Sequence, residues 1–284
     1  MKRLIALLMA LLLALGVADA LAAEDISIML IGTDDLGEEL SKTQAISRAD
    51  AMYVLHLNAQ NNKVKLLGIE RDYQVEMPDG SGPNKLATST YFGGPELCVT
   101  LVNDLLRLNL KHYIHIELKS LVEAVNAIGG IDMQVYDDEL TLVNKALTAA
   151  GHPRLRSGMA HLDGDQVLAF VQVRDVKIDK IDSNIDRNAR HQRVIEAGLD
   201  KLHQLSLSDL LALFDVVLPY IHTDITVSDL VPIAQQFIKM PFDTLDYARS
   251  PMTASSLQRV DVHQLVVLDD QAAEIEAVKA FLEQ

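Results

Sequence analysis

Arg174, Arg187, Arg190 and Arg193 fall close together in a chain whose formal net charge is −15. A guanidinium is a planar fork of donors that grips phosphate or carboxylate through paired hydrogen bonds. Arginines gathered in an acidic chain point to an anion held between them. The other reading pairs each arginine with a nearby aspartate on a solvated face, where charges of both signs are commonly interleaved. Arg187, Arg190 and His191 have the i, i+3, i+4 spacing of one helix face. They sit near the expected start of that helix, where backbone N–H groups and the positive end of the dipole favour a phosphate. Asp182 and Asp186 are the alternative counter-charges, and a neutral His191 is a hydrogen-bond donor.

Three more cations, Arg48, Arg71 and Lys85, lie upstream in turn-like settings beside Asp34, Asp50 and Asp72. In open α/β sheets, ligands collect at strand ends and helix starts. Asp34 ends the first expected strand, Arg48 and Asp50 begin the second, and Arg71 and Asp72 end the third. Asp34 with Asp50 offers oxygen ligands to a hard cation; Mg²⁺ takes one or two carboxylates and completes its shell with water and substrate phosphate. Each aspartate also suits a cap or a turn.

The elements that must position these residues alternate between strand and helix, which specifies an α/β fold. Ile26–Ile31 reads as a buried strand. Met52–Leu57 and Val64–Ile69 flank the polar turn Asn58–Lys63 as a hairpin, so the sheet is mixed and flanked by helices. Residues 77–83 read as a loop. A helix is predicted from Pro95 to Leu108, with proline in its first turn. A short strand Tyr113–Ile116, a helix Leu118–Ala127 closed by Gly129-Gly130, and a strand Ile131–Val135 follow. Further helices are expected at Asp163–Val171, Arg187–Leu205, Leu207–Tyr220, Val227–Ile238 and Asp269–Leu282, with strands at Leu245–Arg249 and Arg259–Val267. The Asp-rich stretch 175–186 reads as a loop.

Composition narrows the function classes. With 284 residues and 49% hydrophobic content the chain supports one large core. Tryptophan is absent and aromatics are 5%, too few for base-stacking platforms. The acidity excludes the basic face that nucleic acid requires. Cys98 is the one cysteine, so neither an intrachain disulfide nor a thiolate metal cluster can form; its apolar setting reads as small-hydrophobe packing. The motifs G-x-S-x-G, H-E-x-x-H, G-x-G-x-x-G and the P-loop do not occur.

At the N-terminus, Lys2 and Arg3 precede an apolar run from Leu4 to Val17 and then Ala18-Asp19-Ala20. This pattern reads as a secretory signal peptide over residues 1–23, or as an uncleaved anchor. Either way residues 24–284 form a single extracytoplasmic α/β domain.

An ordered set of segments resembles the LytR–CpsA–Psr family of bacterial cell-envelope proteins. Leu30-Ile31-Gly32-Thr33-Asp34 is similar to its first strand and aspartate. Arg48-Ala49-Asp50-Ala51-Met52 resembles R-S-D-T-M, and Gly68-Ile69-Glu70-Arg71-Asp72 resembles S-I-P-R-D. Asn84-Lys85-Leu86-Ala87, Tyr91-Phe92-Gly93-Gly94-Pro95, Ala127-Ile128-Gly129-Gly130-Ile131-Asp132 and Leu162–Val171 match further segments, and Arg187 and Arg190 match a paired-arginine helix. The resemblance implies a Mg²⁺-dependent phosphotransferase that moves a glycopolymer from a polyprenyl-pyrophosphate carrier at the membrane surface to peptidoglycan. It assigns Asp34 and Asp50 to the metal, and Arg48, Arg71 and Arg187 to charge stabilisation with them. Lys85, Arg174, Arg190 and His191 are assigned to the carrier's pyrophosphate. Departures are Gln172 where the family has arginine, His191 where it has glutamine, Asn184 at a loop aspartate, and alanines at 49 and 51. A weakened, binding-only relative and a lipid pyrophosphatase are the alternatives.

Overall fold

A computed structural model describes residues 24–33, 48–173, 183–240, 245–260 and 263–284. The large sheet has six strands: β1 (Ile26–Thr33), β2 (Ala49–Asn58), β3 (Lys63–Ile69), β6 (His112–Glu117), β9 (Ile221–Thr223) and β10 (Asp246–Ser250). Their order is β10-β3-β2-β1-β6-β9. The pairs β1–β2, β2–β3 and β6–β9 run antiparallel, whereas β1–β6 and β3–β10 run parallel, so the mixed sheet expected from the hairpin is present. Three two-stranded ribbons sit around it: β4 (Gln74–Glu76) with β5 (Pro83–Lys85), β7 (Ile131–Val135) with β8 (Gly158–Leu162), and β11 (Ser255–Val260) with β12 (His263–Leu268). The last ribbon replaces the single strand expected over Arg259–Val267, because Ser255–Val260 pairs antiparallel with His263–Leu268.

Period-2 alternation divides the strand side chains between two faces. Met29, Ile31, Met52, Val54 and Leu67 face helices α1 (Ser89–Leu106) and α8 (Gln271–Glu283), forming a packed core with Val102, Leu106, Val278 and Leu282. Each such side chain contributes about 1.5–3 kcal/mol by leaving water. The α1 segment breaks at Gly93 and Gly94, with φ +71° at Gly94, so Pro95 opens a new helical turn as its missing N–H requires. The last carbonyls of α8 are capped by the hairpin. Lys65 Nζ donates to the Phe281 carbonyl, Asn58 Nδ2 to Leu282 (3.0 Å) and Asn61 Nδ2 to Glu283 (2.6 Å). Burial lowers the Lys65 pKa, with Asp246 opposing that shift.

The opposite face is covered by α2 (Leu118–Ala127), α5 (Ser183–His203), α6 (Leu207–Val217) and α7 (Val227–Lys239). Helices α3 (Asp137–Ala150) and α4 (Gly164–Gln172) add a satellite core with α2, α5 and the β7–β8 ribbon. Asp163, Ser206, Thr226 and Asp270 accept from backbone N–H groups as N-caps. Gly164 lets α4 touch α2, since a Cβ there would stand 2.2 Å from the Val122 carbonyl oxygen. Gly164→Ala is expected to cost about 3 kcal/mol by overpacking against backbone. Urea unfolding followed by circular dichroism measures it, and an unchanged midpoint would show that the helices part freely.

Arg193 belongs to this satellite core. Its guanidinium pairs with Glu139 (Nη1 to Oε2 3.1 Å), donates to the Gln134 carbonyl (2.9 Å) and lies between the rings of Tyr136 and Phe170. Pairing of this kind keeps a buried carboxylate from standing uncompensated.

Candidate functional site

The sheet register gathers one polar rim. Thr33, the last residue of β1, pairs with Ala49 of β2 and with Glu117 of β6. A register shift between Gly32 and Thr33 marks a bulge at this edge, where Asp50 lies on β2. Ile69 ends β3 beside Ser250 of β10, and Glu70, Arg71 and Asp72 follow immediately. Asp50, Glu70, Arg71 and Asp72 therefore meet because four strands finish or begin at the same level.

Arg71 Nη1 forms an ion pair with Asp50 Oδ1, and its Nε is 3.4 Å from Asp72 Oδ1. Lys85, at the end of β5, brings Nζ to 2.9 Å from the same Asp72 oxygen. The backbone fixes this geometry, because Ala87 N–H donates to the Arg71 carbonyl (2.9 Å) and Leu86 N–H to Tyr73 (2.8 Å). Arg71 and Lys85 thus each have a carboxylate partner at the rim. An incoming anion must therefore compete with, or rearrange, existing pairs.

Arg48 is exposed immediately before β2. Arg190, on α5, is 1% exposed and donates Nη2 to the Val173 carbonyl at 2.5 Å. His191 Nε2 lies 3.2 Å from the Val171 carbonyl. These two residues lie on α5; His191 reaches a carbonyl in the last turn of α4, and Arg190 one just past its end. Arg187 is carried by α5, but its side chain, with Asp34 and Arg174, lies outside the described residues. Asp50 is thus the described member of the expected carboxylate pair. Among the described residues, no group of three or more His, Cys, Asp or Glu is placed to hold a metal. One or two carboxylates suffice for Mg²⁺ where substrate phosphate completes the shell, so Asp50 fits that chemistry.

Next to the rim, on the helix-covered face, opens an apolar cavity of about 820 Å³. Leu30, Tyr53 and Leu55 form its floor; Leu121, Val194, Phe214 and Phe237 come from the helices above. Its polar end is Thr33, Asp50, Gln172 and His191. No residue of α6 is fully buried, although the sequence Leu207–Val217 is mostly apolar. That helix faces the hollow rather than a packed core. A cavity of this lining suits a long apolar chain through area removed from water, and a rim of this kind suits a charged head. Among the described residues no helix is long and apolar enough to cross a membrane.

Cys98 is fully buried, with burial pushing its thiol up to about 12, in keeping with packing rather than reactivity. His115 was not singled out by the sequence. It is fully buried, its Nε2 lies 2.9 Å from Thr33 Oγ1, and it stacks on His222. Burial first, then the His222 charge, hold its pKa down at about 4. Unfolded, the ring titrates near 6.5. Between those values the unfolded chain binds the extra proton, so stability is full above about pH 6.5 and falls as pH drops towards 4. The loss is roughly 3 kcal/mol over that window. Urea midpoints at pH 7 and pH 4.5 measure it, and His115→Gln should flatten the difference; an equal slope in that variant would reassign the effect.

The model of the LytR_cpsA_psr family matches residues 16–279. The chain is 30% identical over 179 residues to the polyisoprenyl-teichoic acid–peptidoglycan teichoic acid transferase TagU of Bacillus mycoides, covering 63% of this chain and 53% of that protein. It is 29% identical over 249 residues to the TagU of Enterococcus faecalis, covering 85% and 77%. The chain thus spans about half the length of the Bacillus relative. The structure of TagT bound to LIIa-WTA superposes with a TM-score of 0.70 at 22% identity, covering 92% of this chain and 91% of that one, and shows the same fold.

Proposed function

The chain belongs to the LytR_cpsA_psr family, and from that premise we propose that it transfers a glycopolymer from a polyprenyl-pyrophosphate carrier to peptidoglycan. The observation that carries this reading is an apolar cavity of about 820 Å³ ending at a rim of paired carboxylates and guanidinium groups. The polyprenyl chain occupies the cavity and the pyrophosphate lies at its polar end. The named activities of the TagU relatives support the same reaction class.

In this reaction an acceptor hydroxyl oxygen bonds to the sugar-linked phosphorus. The bond from that phosphorus to the bridging oxygen breaks, and polyprenyl phosphate leaves. Arg71 and Lys85 orient the pyrophosphate and stabilise charge on its oxygens as the bond breaks. Arg48, Arg174, Arg187, Arg190 and His191 are the further candidates for the anion. The proton of the attacking hydroxyl passes to Asp34 or Asp50. Mg²⁺, held by Asp50 together with Asp34, would neutralise charge on the pyrophosphate. The apolar walls keep the polyprenyl side of the substrate away from water, and transfer wins over hydrolysis when the acceptor hydroxyl fills the position in line with the leaving oxygen. A substrate of this kind places the protein outside the cytoplasm, at the membrane surface, secreted or anchored.

The test combines purified protein, a polyprenyl-pyrophosphate-linked glycan, peptidoglycan oligomers and Mg²⁺. Glycan joined to peptidoglycan, with release of polyprenyl phosphate, is the expected product. Release of free glycan phosphate alone would instead identify a pyrophosphatase. Gln172 at the cavity's polar end, where the family pattern has arginine, favours a second reading of binding without turnover. Bound carrier with no product, and no gain on Gln172→Arg, would establish that reading.

A further inference from the structure

Beside the Arg71–Asp50 pair stands a second ion pair that the reaction above does not use. Arg249, the penultimate residue of β10, directs Nη2 to Glu70 Oε2. Both strands deliver these residues to the rim: Arg249 is in register with Gly68, and the Glu70 N–H donates to the Ser250 carbonyl at 3.1 Å. Glu70 Oε1 also accepts from the Asp72 N–H at 3.2 Å. The Arg249 side chain keeps 27% of its surface open, against 12% for Glu70.

Arg249, Tyr53 and Gly68 share one sheet face, the face that carries the cavity. Together with Tyr247, Asp50 and Arg71 they line a small niche with room for roughly one water. Tyr53 borders both spaces, with the apolar cavity on the β1 side and the niche on the β3–β10 side. Neighbouring strands stand about 4.8 Å apart, so Arg249 is anchored roughly 10 Å across the sheet from β2. Of Arg71 and Arg249, it is the one anchored farther from the cavity along this line. Glu70 occupies the proline position of the motif that residues 68–72 resemble, so its carboxylate is a feature of this chain.

We infer that Arg249, held ready by Glu70, recognises an anionic group on the glycan half of the carrier-linked substrate. This inference rests on the function proposed above. With the lipid in the cavity and the pyrophosphate at Asp50 and Arg71, the part of the substrate that reaches β10 is the glycan beyond the pyrophosphate. A phosphate or carboxylate there meets a fork that is partly exposed and already oriented. Glu70 makes the site selective. An uncharged glycan cannot displace it, whereas a suitably placed anion exchanges one charge-assisted bond for another.

The test measures dissociation constants for two probes, undecaprenyl pyrophosphate alone and the same carrier bearing a phosphate-containing disaccharide. Variants are Arg249→Gln, Arg249→Lys and Glu70→Gln, each checked for an unchanged melting curve. Arg249→Gln should weaken the glycan-bearing probe about tenfold or more and leave the bare carrier within about twofold. Arg249→Lys should recover part of the loss. Glu70→Gln should act in the opposite direction and tighten the glycan-bearing probe, which a purely structural ion pair would not do. Equal losses for both probes, no loss for either, or a change confined to the KM for peptidoglycan acceptor would overturn the inference. Failure of the unaltered protein to bind the bare carrier would instead overturn the proposed function, and this inference with it.

Discussion

Arg71→Ala should slow glycopolymer transfer about a hundredfold or more, the scale seen when a pre-positioned donor to developing charge is removed. Carrier affinity should fall about tenfold or more as well, because a charged hydrogen bond contributes about 1.5–3 kcal/mol. Fold stability should fall too, because the Arg71 and Asp50 side chains are only 21% and 11% exposed and removing the guanidinium deprives a largely buried carboxylate of this partner. Arg71→Lys should fall between, keeping the charge and losing the fork. Rates of product formation, carrier titrations and melting curves on the same preparations separate these effects. A folded Arg71→Ala protein with unaltered transfer would remove the rim from the reaction.

Gly198→Phe should abolish retention of a polyprenyl lipid while leaving the protein as stable or slightly more so. Gly198 lies within α5 and lines the cavity, and a Cβ built there meets nothing within 4 Å. A side chain can therefore leave the helix there without a clash at its first carbon, and it points into a hollow of about 820 Å³. Replacing glycine inside a helix by alanine recovers about 0.5–1 kcal/mol of backbone entropy, and phenylalanine recovers a smaller part of that. Mass spectrometry of organic extracts reports whether lipid copurifies, and calorimetry reports stability. Lipid still present at full stoichiometry in Gly198→Phe would place the tail elsewhere.

The fold was legible wherever local pattern and tertiary environment agree. The hairpin of Met52–Leu57 and Val64–Ile69 alternates over a sheet with two covered faces, and it is present with longer ends. Leu118–Ala127 and Ile131–Val135 form as predicted, since an apolar stripe and a Gly-Gly stop are local signals. The elements that were missed depend on partners far away in sequence. Ile221–Thr223 is too short to announce itself and becomes a strand by pairing with His112–Glu117. Pro83–Lys85 lies among loop-forming residues and pairs with Gln74–Glu76. The helix Asp137–Ala150 carries acidic residues at its start, a signal that could have found it.

At the site, residues next to strand ends were the readable part. Asp50, Arg71, Asp72 and Lys85 stand together because the positions adjoin elements whose boundaries pattern reveals. The mutual neutralisation of these charges was not readable, since it depends on side-chain directions across separate strands. Glu70 with Arg249 and His115 with Thr33 escaped for the same reason. They are separated by 179 and 82 positions along the chain, and each residue taken singly is an ordinary polar side chain on a strand or at its end. The cavity was equally hidden. Leucines that line a hollow and leucines that fill a core have the same periodicity, and only the spacing of α5, α6 and α7 above the sheet distinguishes them.

The two faces of the central sheet differ in completeness, and this has a thermodynamic consequence. The face under α1 and α8 is finished by the polypeptide itself, whereas the face under α6 and α7 keeps a hollow that an apolar guest would fill. A guest that binds only the folded form raises apparent stability by RT ln(1 + [L]/Kd), about 2.7 kcal/mol at a hundredfold excess over Kd. Melting temperature is therefore a property of the preparation as well as of the sequence: protein stripped by detergent and protein carrying its lipid should melt as two distinct populations, and their proportions would record how much carrier was at hand when the chain folded.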